Sequence, residues 1–473
     1  MSDEQKGEAS PQPENPAPPK DPGSSQWEIT KRLYQLAWPI IGLNVLQVLA
    51  LAVDTAMVGR TPGADMALTG MGYASQLIFL LMVAMIGLTV GTVAFISRAH
   101  GAGHDERVNH ILHQSTQLTL MLGLFIAVFG NVIASPLITL LGASDASLGP
   151  ALDYLRPLLL GTAFNYLNIL YAATLRGVGN TRLAFFVSLF MNVLNVVFNY
   201  GLILGNYGLP AMGIQGAAIG TVLAQLCAAV LMYNLLHRDA IKGVHPNFGW
   251  KPIDWDMARD LARIGWPAAT DMVVLNAAFL SIIGMLGAFD ERAVAAHGVG
   301  LRVQALAFVP GMSISQATGA LVGAALGAGH IEEARRVVRA SVIFAMVVMC
   351  SLALVIVGAA GPLVELFDIP PGTPIYDYSV MWMQLLGYGM PLVGYYISFV
   401  GMLQGSGQTR RSLRINLWTT FAFQIPASYI LGFTLGMGVW GVWAGFPLSF
   451  LIKAVWGTYE YKAEHWAKVG ARA

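Results

Sequence analysis

Long apolar stretches alternate with short polar ones along most of this chain. Residues 77–96 and 118–133 are almost continuously apolar, without a polar residue at every second position. A helix needs about 20 residues to cross a bilayer, whereas the strands of a membrane β-barrel alternate apolar and polar residues. The pattern therefore predicts an all-α integral membrane protein with twelve transmembrane helices. Their approximate bounds are 33–57, 70–97, 111–141, 150–173, 183–205, 211–236, 262–288, 295–325, 337–367, 378–403, 413–435 and 438–460.

Composition excludes several other classes of protein. Hydrophobic residues make up 55% of the 473 residues and charged residues only 11%, and the mean hydropathy is +0.59. Soluble domains carry about 25% charged residues, so a soluble enzyme, a nucleic-acid binder and a secreted disulfide scaffold are excluded. The net charge of +1 implies no bulk attraction to nucleic acid. Cys227 and Cys350 lie in apolar runs, which favours core side chains over a disulfide or metal site.

The basic residues indicate an orientation in the membrane. Cytoplasmic loops retain Lys and Arg, and 23 of the 27 here fall in the tails and after even-numbered spans. The four others are Arg60, Arg156, Arg292 and Arg302. Both termini are therefore predicted to be cytoplasmic. The corresponding division is a disordered Pro-rich tail (1–28), an N-terminal lobe (29–236), a cytoplasmic inter-lobe loop (237–261), a C-terminal lobe (262–460) and a second cytoplasmic tail (461–473).

The two halves of the chain are similar in sequence. Trp38-Pro39 matches Trp266-Pro267, and Leu-Arg-Gly-Val-Gly-Asn-Thr-Arg at 175–182 matches Leu-Gln-Gly-Ser-Gly-Gln-Thr-Arg at 403–410. An even number of spans in each half makes the copies parallel. Two six-helix lobes of this kind enclose a cavity between them, and such a plan permits alternating access by rocking.

Several motifs resemble those of the multidrug and toxic compound extrusion (MATE) transporters. They are Asp-x-x-Met-Val-Gly at 54–59, Arg-Gly-x-Gly-Asn-Thr at 176–181, Ala-Ala-His at 295–297 and the Gly-Ala-Gly loops after spans 2 and 8. The resemblance covers about residues 30–460. It implies a V-shaped pair of lobes, monomeric in the bacterial inner (plasma) membrane. Such a protein exports cationic or amphipathic drugs against an inward flow of H⁺, or alternatively Na⁺. No cofactor or metal is expected.

Asp54 is the leading candidate for ion coupling. An ionisable residue at membrane depth is costly, and this one lies well inside span 1. Asn44, Gln47, Leu51 and Asp54 recur at helical spacing, so one helix face carries three polar groups. A polar seam between helices would explain the amides, but a carboxylate suits a proton carrier because burial favours its protonated form. The resemblance also places the family's ion-linked acid at Asp54.

Span 5 carries Asn192, Asn195 and Asn199 at helical spacing in an apolar segment. Amides do not face lipid, so this face contacts protein or water. Proton-coupled relatives have Asn-x-x-x-Asp here, and Asn195 and Asn199 occupy those two places. Asp54 is therefore expected to be the lone carboxylate of the site, with Gln47 and Thr221 of span 6 as further members. Asn44 and Asn192 are assigned to the substrate cavity.

Asp271 is the second acid well inside a span. It stands near Leu43 in the repeat, whereas Asp54 stands near Ile282, so neither acid is duplicated. Binding of a cationic substrate and simple pairing with a neighbouring helix are both consistent with this place, and Arg302 is one conceivable partner. Sodium-coupled relatives have acids in spans 7 and 10. This chain has Leu275 or Asn276 and residues 392–394 there, which disfavours Na⁺.

Two other features remain open to two explanations each. Pro39 precedes Asp54 by fifteen residues and either permits helix bending or forms a static kink. His100, His104, His110 and His113 lie in or beside the loop after span 2, where a structural loop is favoured over a metal site or pH sensor.

The sequence favours a drug:H⁺ antiporter. The rivals are a Na⁺-driven exporter or lipid-precursor flippase of the same fold and, from another class, a membrane-embedded transferase. No phosphate-binding loop with Lys-Ser/Thr is present in this chain, which excludes an ATP-driven pump.

Overall fold

The computed structural model describes residues 25–469 except 239, 240, 242, 243, 247, 248 and 250. Helices, turns and bends account for all regular structure in this part of the chain, and it contains no strand. The helices are α1 (Gln26–Val58), α2 (Ala64–Gly101), α3 (Asp105–Phe125), α4 (Asn131–Leu140), α5 (Asp145–Leu160), α6 (Thr162–Gly177), α7 (Thr181–Leu204), α8 (Gly213–His237), α9 (Trp255–Gly287), α10 (Glu291–Gly327), α11 (Ile331–Gly358), α12 (Ala360–Glu365), α13 (Pro374–Gly405), α14 (Thr409–Trp418), α15 (Ile425–Tyr429), α16 (Gly438–Ala463) and α17 (His465–Val469).

The helices follow the twelve-span plan predicted from the sequence. Spans 1, 2, 5, 6, 7, 8, 10 and 12 are single helices, and span 3 joins α3 to α4 through a π-helical turn at Ile126–Gly130. Span 4 is the pair α5 and α6, bent by 54° where the two helices meet. Ten helices of the described chain are long and apolar enough to cross a membrane, or eleven with the bent pair. Span 9 is α11 followed by the short α12. Span 11 begins with the polar Thr409–Trp418 and continues through π-helical turns at Thr419–Gln424 and Ile430–Thr434.

Several predicted boundaries are wrong because helices extend beyond the apolar runs. The tail predicted to end at residue 28 already includes the first turn of α1, where Ser25 and Glu28 form a capping box. The inter-lobe loop predicted to reach residue 261 ends earlier, since Asp254 caps α9. At the other end, α16 continues to Ala463. Residues 1–24 of the predicted tail lie outside the described residues.

Equivalent contacts confirm the internal repeat. The hydroxyl of Thr181 donates to the backbone oxygen of Leu36 (3.0 Å) in the N-lobe, which comprises α1–α8. In the C-lobe, α9–α17, Thr409 donates to the backbone oxygen of Ile264 (2.6 Å). Each threonine is the last residue of the repeated Gly-x-Gly-x-Thr motif. The same sequence element therefore attaches the fifth span to the first in each lobe.

The lobes contact each other through α1 and α2 of the N-lobe and α9 and α10 of the C-lobe. The contacts lie in the first half of α1 and α9 and in the second half of α2 and α10. A Cβ on Gly87 would lie 2.8 Å from the backbone oxygen of Gly265, so glycine permits α2 to touch α9. Further along α2, Gly101 packs on the backbone of Ala324 in α10. An apolar cluster that joins the lobes here combines Leu33, Leu36, Ala37 and Ile40 of α1 with Ile314, Ala317 and Ala345.

Candidate functional site

Asp54 is buried inside the N-lobe near the end of α1 that lies away from the inter-lobe contacts. Its side chain is 6% exposed. Nδ2 of Asn199 on α7 donates a 2.6 Å hydrogen bond to Oδ1 of Asp54. A charge-assisted hydrogen bond of this length stabilises a carboxylate that has lost its water of hydration. The carboxylate is therefore held in place by a neutral donor from a different helix.

Two further polar side chains continue this contact into α8. Nδ2 of Asn199 also lies 3.4 Å from Oδ1 of Asn195, and Nδ2 of Asn195 donates to Oγ1 of Thr221 (2.9 Å). The Thr221 hydroxyl in turn donates to the backbone oxygen of Ala217 (2.9 Å). The structure thus brings Asp54, Asn195, Asn199 and Thr221 into one hydrogen-bonded network, which we call the N-lobe network.

A glycine makes room for the central amide of the network. A Cβ at position 220 would overlap Oδ1 of Asn199, so Gly220 lets α7 approach α8 at this level. Oδ1 of Asn199 is buried and has no hydrogen-bond partner among the described residues. An acceptor oxygen is therefore available beside Asp54, where a protonated carboxyl group would have a proton to donate.

A cavity of about 150 Å³ adjoins the network inside the N-lobe. Its polar lining comes from Thr162, Asn165, Tyr166, Thr221 and Gln225, and its apolar lining includes Leu81, Met82 and Leu158. A space of this size holds several water molecules. Because Thr221 belongs to both, the cavity reaches the hydrogen-bonded chain that ends at Asp54.

The other polar residues of span 1 and span 5 do not join the network. Gln47 is exposed and makes no hydrogen bond within the part of the chain that the structure describes. Nδ2 of Asn44 donates to Oγ of Ser313 in the C-lobe (3.0 Å), which makes Asn44 an inter-lobe contact. Asn192 bonds the backbone oxygen of Ser188 on its own helix (2.7 Å). Pro39 is buried within a helix that continues without a break from Gln26 to Val58.

Asp271 pairs with amide and hydroxyl groups of the C-lobe. Nδ2 of Asn416 lies 2.9 and 2.8 Å from its two carboxylate oxygens, and Oγ of Ser412 donates at 3.2 Å. Tyr396 completes the group by donating to Oδ1 of Asn416 (3.1 Å). The suggestion that Asp271 pairs with Arg302 is wrong. The Arg302 side chain is exposed on α10 and forms no ion pair with Asp271. The acid instead faces α14 within its own lobe.

Lys453 and His297 are among the buried titratable side chains that sequence reasoning missed. Lys453 lies inside span 12, where it was counted with the cytoplasmic basic residues, yet it is 6% exposed. His297 belongs to the Ala-Ala-His motif and is fully buried against Trp382, with 4.8 Å between ring centroids. The depth of Lys453 inside an apolar run was the available signal for that residue.

Among the four histidines near the loop after span 2, His110 contacts the inter-lobe segment. Nε2 of His110 is 3.1 Å from Oδ2 of Asp254, the residue that caps α9. The amides of Gln114 and Gln117 donate to the backbone oxygens of Pro252 and Lys251. The pKa of Asp254 is held below its usual range, first by the backbone N–H of Met257 and then by His110. This face of α3 therefore holds the end of the inter-lobe segment.

Two repeated helical lobes, each with a carboxylate held by an asparagine between its first and fifth spans, define a polytopic membrane transporter of the repeat type. Comparison with known proteins specifies the family. The model of the MatE family matches residues 39–201 and 267–430, one segment in each lobe. The chain belongs to the MATE family, whose members are transporters and not enzymes.

Curated relatives and solved structures resemble the chain over nearly its whole length. The probable multidrug resistance protein NorM of Thermotoga maritima is 27% identical over 445 residues, covering 93% of this chain and 94% of that protein. The multidrug resistance protein PmpM of Pseudomonas aeruginosa is 26% identical, with 90% and 89% covered. The crystal structure of MATE in the bent conformation has a TM-score of 0.84 at 23% identity, covering 95% and 99% of the two chains. An outward-facing multidrug resistance MATE transporter has a TM-score of 0.83 at 23% identity, with 92% and 96% covered.

Proposed function

We propose that this protein is a multidrug exporter of the plasma membrane that exchanges cationic or amphipathic small molecules for H⁺. Asp54 is the carboxylate that binds and releases the proton. The observation that carries the proposal is the buried Asp54 carboxylate in hydrogen-bond contact with Asn199. The multidrug resistance names of relatives such as NorM and PmpM support the substrate class.

The surroundings of Asp54 suit a proton better than a metal cation. No second acid lies in the N-lobe network, and the amide nitrogen of Asn199 points at the carboxylate, as a donor does toward an anion. When Asp54 binds a proton, it no longer needs the Asn199 donor and can itself donate to an oxygen. The hydrogen bonds of α1 with α7 therefore differ between the two protonation states, and this difference favours different helix positions.

The conformation fits one step of this cycle. With the termini in the cytoplasm, as the Lys and Arg distribution favours, the lobes contact each other at their cytoplasmic ends. The structure then represents an outward-facing state in which Asp54 takes a proton from outside. Bound drug leaves, the lobes rock inward, and the proton leaves to the cytoplasm as new drug binds. One proton crossing 100 mV supplies about 2.3 kcal/mol, enough for about 50-fold accumulation of a neutral substrate.

Transport by proteoliposomes tests the proposal. Ethidium transport driven by an imposed pH gradient is measured for wild type, Asp54→Asn and the control Asp65→Asn. Asp65 is an exposed acid in the first turn of α2. We expect Asp54→Asn to lose at least about 90% of the gradient-driven rate, since its side chain has no exchangeable charge, and Asp65→Asn to keep it. Full activity of Asp54→Asn would overturn the role of this residue. Transport that follows a Na⁺ gradient without a pH gradient would overturn H⁺ coupling.

A further inference from the structure

Lys453 presents a buried ammonium group inside the C-lobe that lacks a direct counter-ion. Its Nζ makes no hydrogen bond and no ion pair within 4.0 Å in the described part of the chain. It lies 6.0 and 5.8 Å from the ring centroids of Tyr396 and Phe450. Aromatic faces attract a cation, but they replace its water only in part. A lysine at this depth is expected to interact with an acid.

The acid whose charge acts on Lys453 is Asp271. Its carboxylate is bound by the neutral donors of Asn416 and Ser412, and not by the ammonium group itself. Opposite charges are thus held near each other, beyond direct contact. A carboxylate whose hydrogen bonds come from neutral groups can accept a further cation without first breaking a salt bridge.

Nearby charged groups are already paired or point elsewhere. Nη1 of Arg411 on α14 binds Oε2 of Glu460 on α16 at 2.6 Å, and Arg410 stacks over the ring of Trp266. On the neighbouring α13 the titratable group is Tyr396, whose hydroxyl donates to Asn416. Asp271 and Lys453 are therefore each other's balancing charges.

The carboxylate lies on the side of α9 that faces the C-lobe interior. Gly265, the residue of α9 that touches α2, is about 120° away around the helix. Asp271 is nevertheless only half-buried, and its oxygens are bound by Asn416 and Ser412 without being fully enclosed. Part of the carboxylate is therefore open to a cation that enters the C-lobe beside α9.

The charged group has no counterpart in the N-lobe. The repeat places Leu43, Ser188 and Asn168 where the C-lobe has Asp271, Asn416 and Tyr396. Leu43 is part of an apolar cluster. The C-lobe charges are thus absent from the equivalent place in a helix bundle of the same shape.

We propose that Asp271 and Lys453 form an exchange site at which an organic cation displaces the proton of Lys453. The cation approaches the Asp271 carboxylate, and its positive charge repels the ammonium group. An N–H bond of Lys453 then breaks, the proton passes to water, and the amine remains neutral while the cation is bound. This inference rests on the proposed function, because it requires a cationic substrate, and it adds a second proton that exchanges for drug.

Equilibrium binding tests the exchange without any gradient. Tetraphenylphosphonium, a cation with no titratable group, is bound to the purified full-length protein in nanodiscs by calorimetry. Repeating the titration in buffers of different ionisation enthalpy measures the protons released. All variants are made in the Asp54→Asn background, so that Asp54 contributes no proton. Failure of Asp54 in transport would not affect this readout.

The decisive variant is Lys453→Arg, which keeps the positive charge but cannot release it. We expect Asp54→Asn to release a proton for each cation bound. Adding Lys453→Arg should abolish that release and weaken binding by about tenfold or more, since the guanidinium stays beside Asp271. Adding Asp271→Asn should weaken binding by a similar factor, and melting curves verify that each variant is folded. A static ion pair would tolerate Lys453→Arg. Unchanged affinity and unchanged proton release in that variant would overturn the proposal, as would absence of release in Asp54→Asn alone.

Discussion

Asp54 accepts its hydrogen bond from Asn199, 145 positions later in the chain, and the same separation joins Asp271 to Asn416. Each lobe therefore encloses one carboxylate between its first and fifth spans. The carboxylates differ in depth, because the repeat aligns Asp271 with Leu43 and not with Asp54. Eleven residues of helix correspond to about 16 Å along the axis. The two acids consequently lie at different levels between the two ends of the molecule.

The N-lobe network predicts graded effects of losing its amides, because Asn199 contacts Asp54 directly and Asn195 does not. Asn199→Ala removes the donor that touches Asp54, whereas Asn195→Ala removes a group that reaches it only through Asn199. A hydrogen bond to a charged group contributes about 1.5–3 kcal/mol. We expect pH-gradient-driven ethidium transport to fall by about tenfold or more for Asn199→Ala and by less for Asn195→Ala. Initial rates in proteoliposomes measure both.

Asn192→Ala is the control for this series, since its amide bonds only the backbone of its own helix. It should transport at close to the wild-type rate. A larger loss for Asn195→Ala than for Asn199→Ala would contradict the order of contacts around Asp54.

The close approach of α2 to α10 makes Gly101 a test of the inter-lobe contact. A Cβ at this position would overlap the backbone oxygen of Ala324, and backbone cannot move aside as a flexible side chain can. Gly101→Ala should therefore separate the lobes at this end. Spin labels on α2 and α10 near these residues should report longer distances by pulsed electron resonance, together with slower transport.

Gly72→Ala is the matched control on the same helix, because no atom lies within 4 Å of a Cβ there. Its label distances should match those of wild type. If Gly101→Ala also kept the wild-type distances, the two helices would not be held together by backbone contact.

The spans and the repeat were predictable because they depend on local sequence. A buried helix requires a long apolar run, and Thr181 and Thr409 end recognisably similar motifs. Asn195 and Asn199 were conspicuous for the same reason, since amides in an apolar helix require a protein partner. These inferences need no knowledge of which helices touch.

Partners across helices were not predictable in the same way. Helical spacing places Gln47 and Asp54 on one face of α1, but only Asp54 meets Asn199 on α7. Asp271 had Arg302 as a conceivable partner, whereas the fold turns it toward α14. Lys453 falls inside a predicted span, yet charge counting assigned it to the cytoplasmic face. Such contacts depend on how helices distant in sequence pack, which a single sequence does not specify.

Asp254 predicts a pH-dependent contribution to stability outside the membrane. Because its folded-state pKa lies below the ordinary value of 3.8, the ionised carboxylate stabilises the fold above that pH. The contribution is lost as the pH falls through the lower folded-state pKa. Asp254→Ala should therefore lower the melting temperature by a few degrees at pH 7, and its difference from wild type should shrink near pH 3. Scanning fluorimetry of the purified protein measures both.

Asp256→Ala provides the control for that measurement. Asp256 is in the same helical turn, but its side chain is almost fully exposed and lies 3.4 Å from an exposed Arg259. Exposed pairs of this kind contribute little. An equal loss at pH 7 from both variants would contradict the role of Asp254 as the cap that attaches the inter-lobe segment.

The imidazole of His297 is a buried polar group that we expect can be removed without loss of stability. Neither ring nitrogen has a hydrogen-bond partner among the described residues, and the ring packs among Trp382, Trp443 and Phe446. A buried group without a partner costs about 1–3 kcal/mol, and phenylalanine retains the aromatic contacts without that cost. His297→Phe should therefore melt at or above the wild-type temperature, whereas His297→Ala should melt below it because it leaves a cavity. A lower melting temperature for His297→Phe, restored by His297→Gln, would instead show that the imidazole makes a hydrogen bond through buried water.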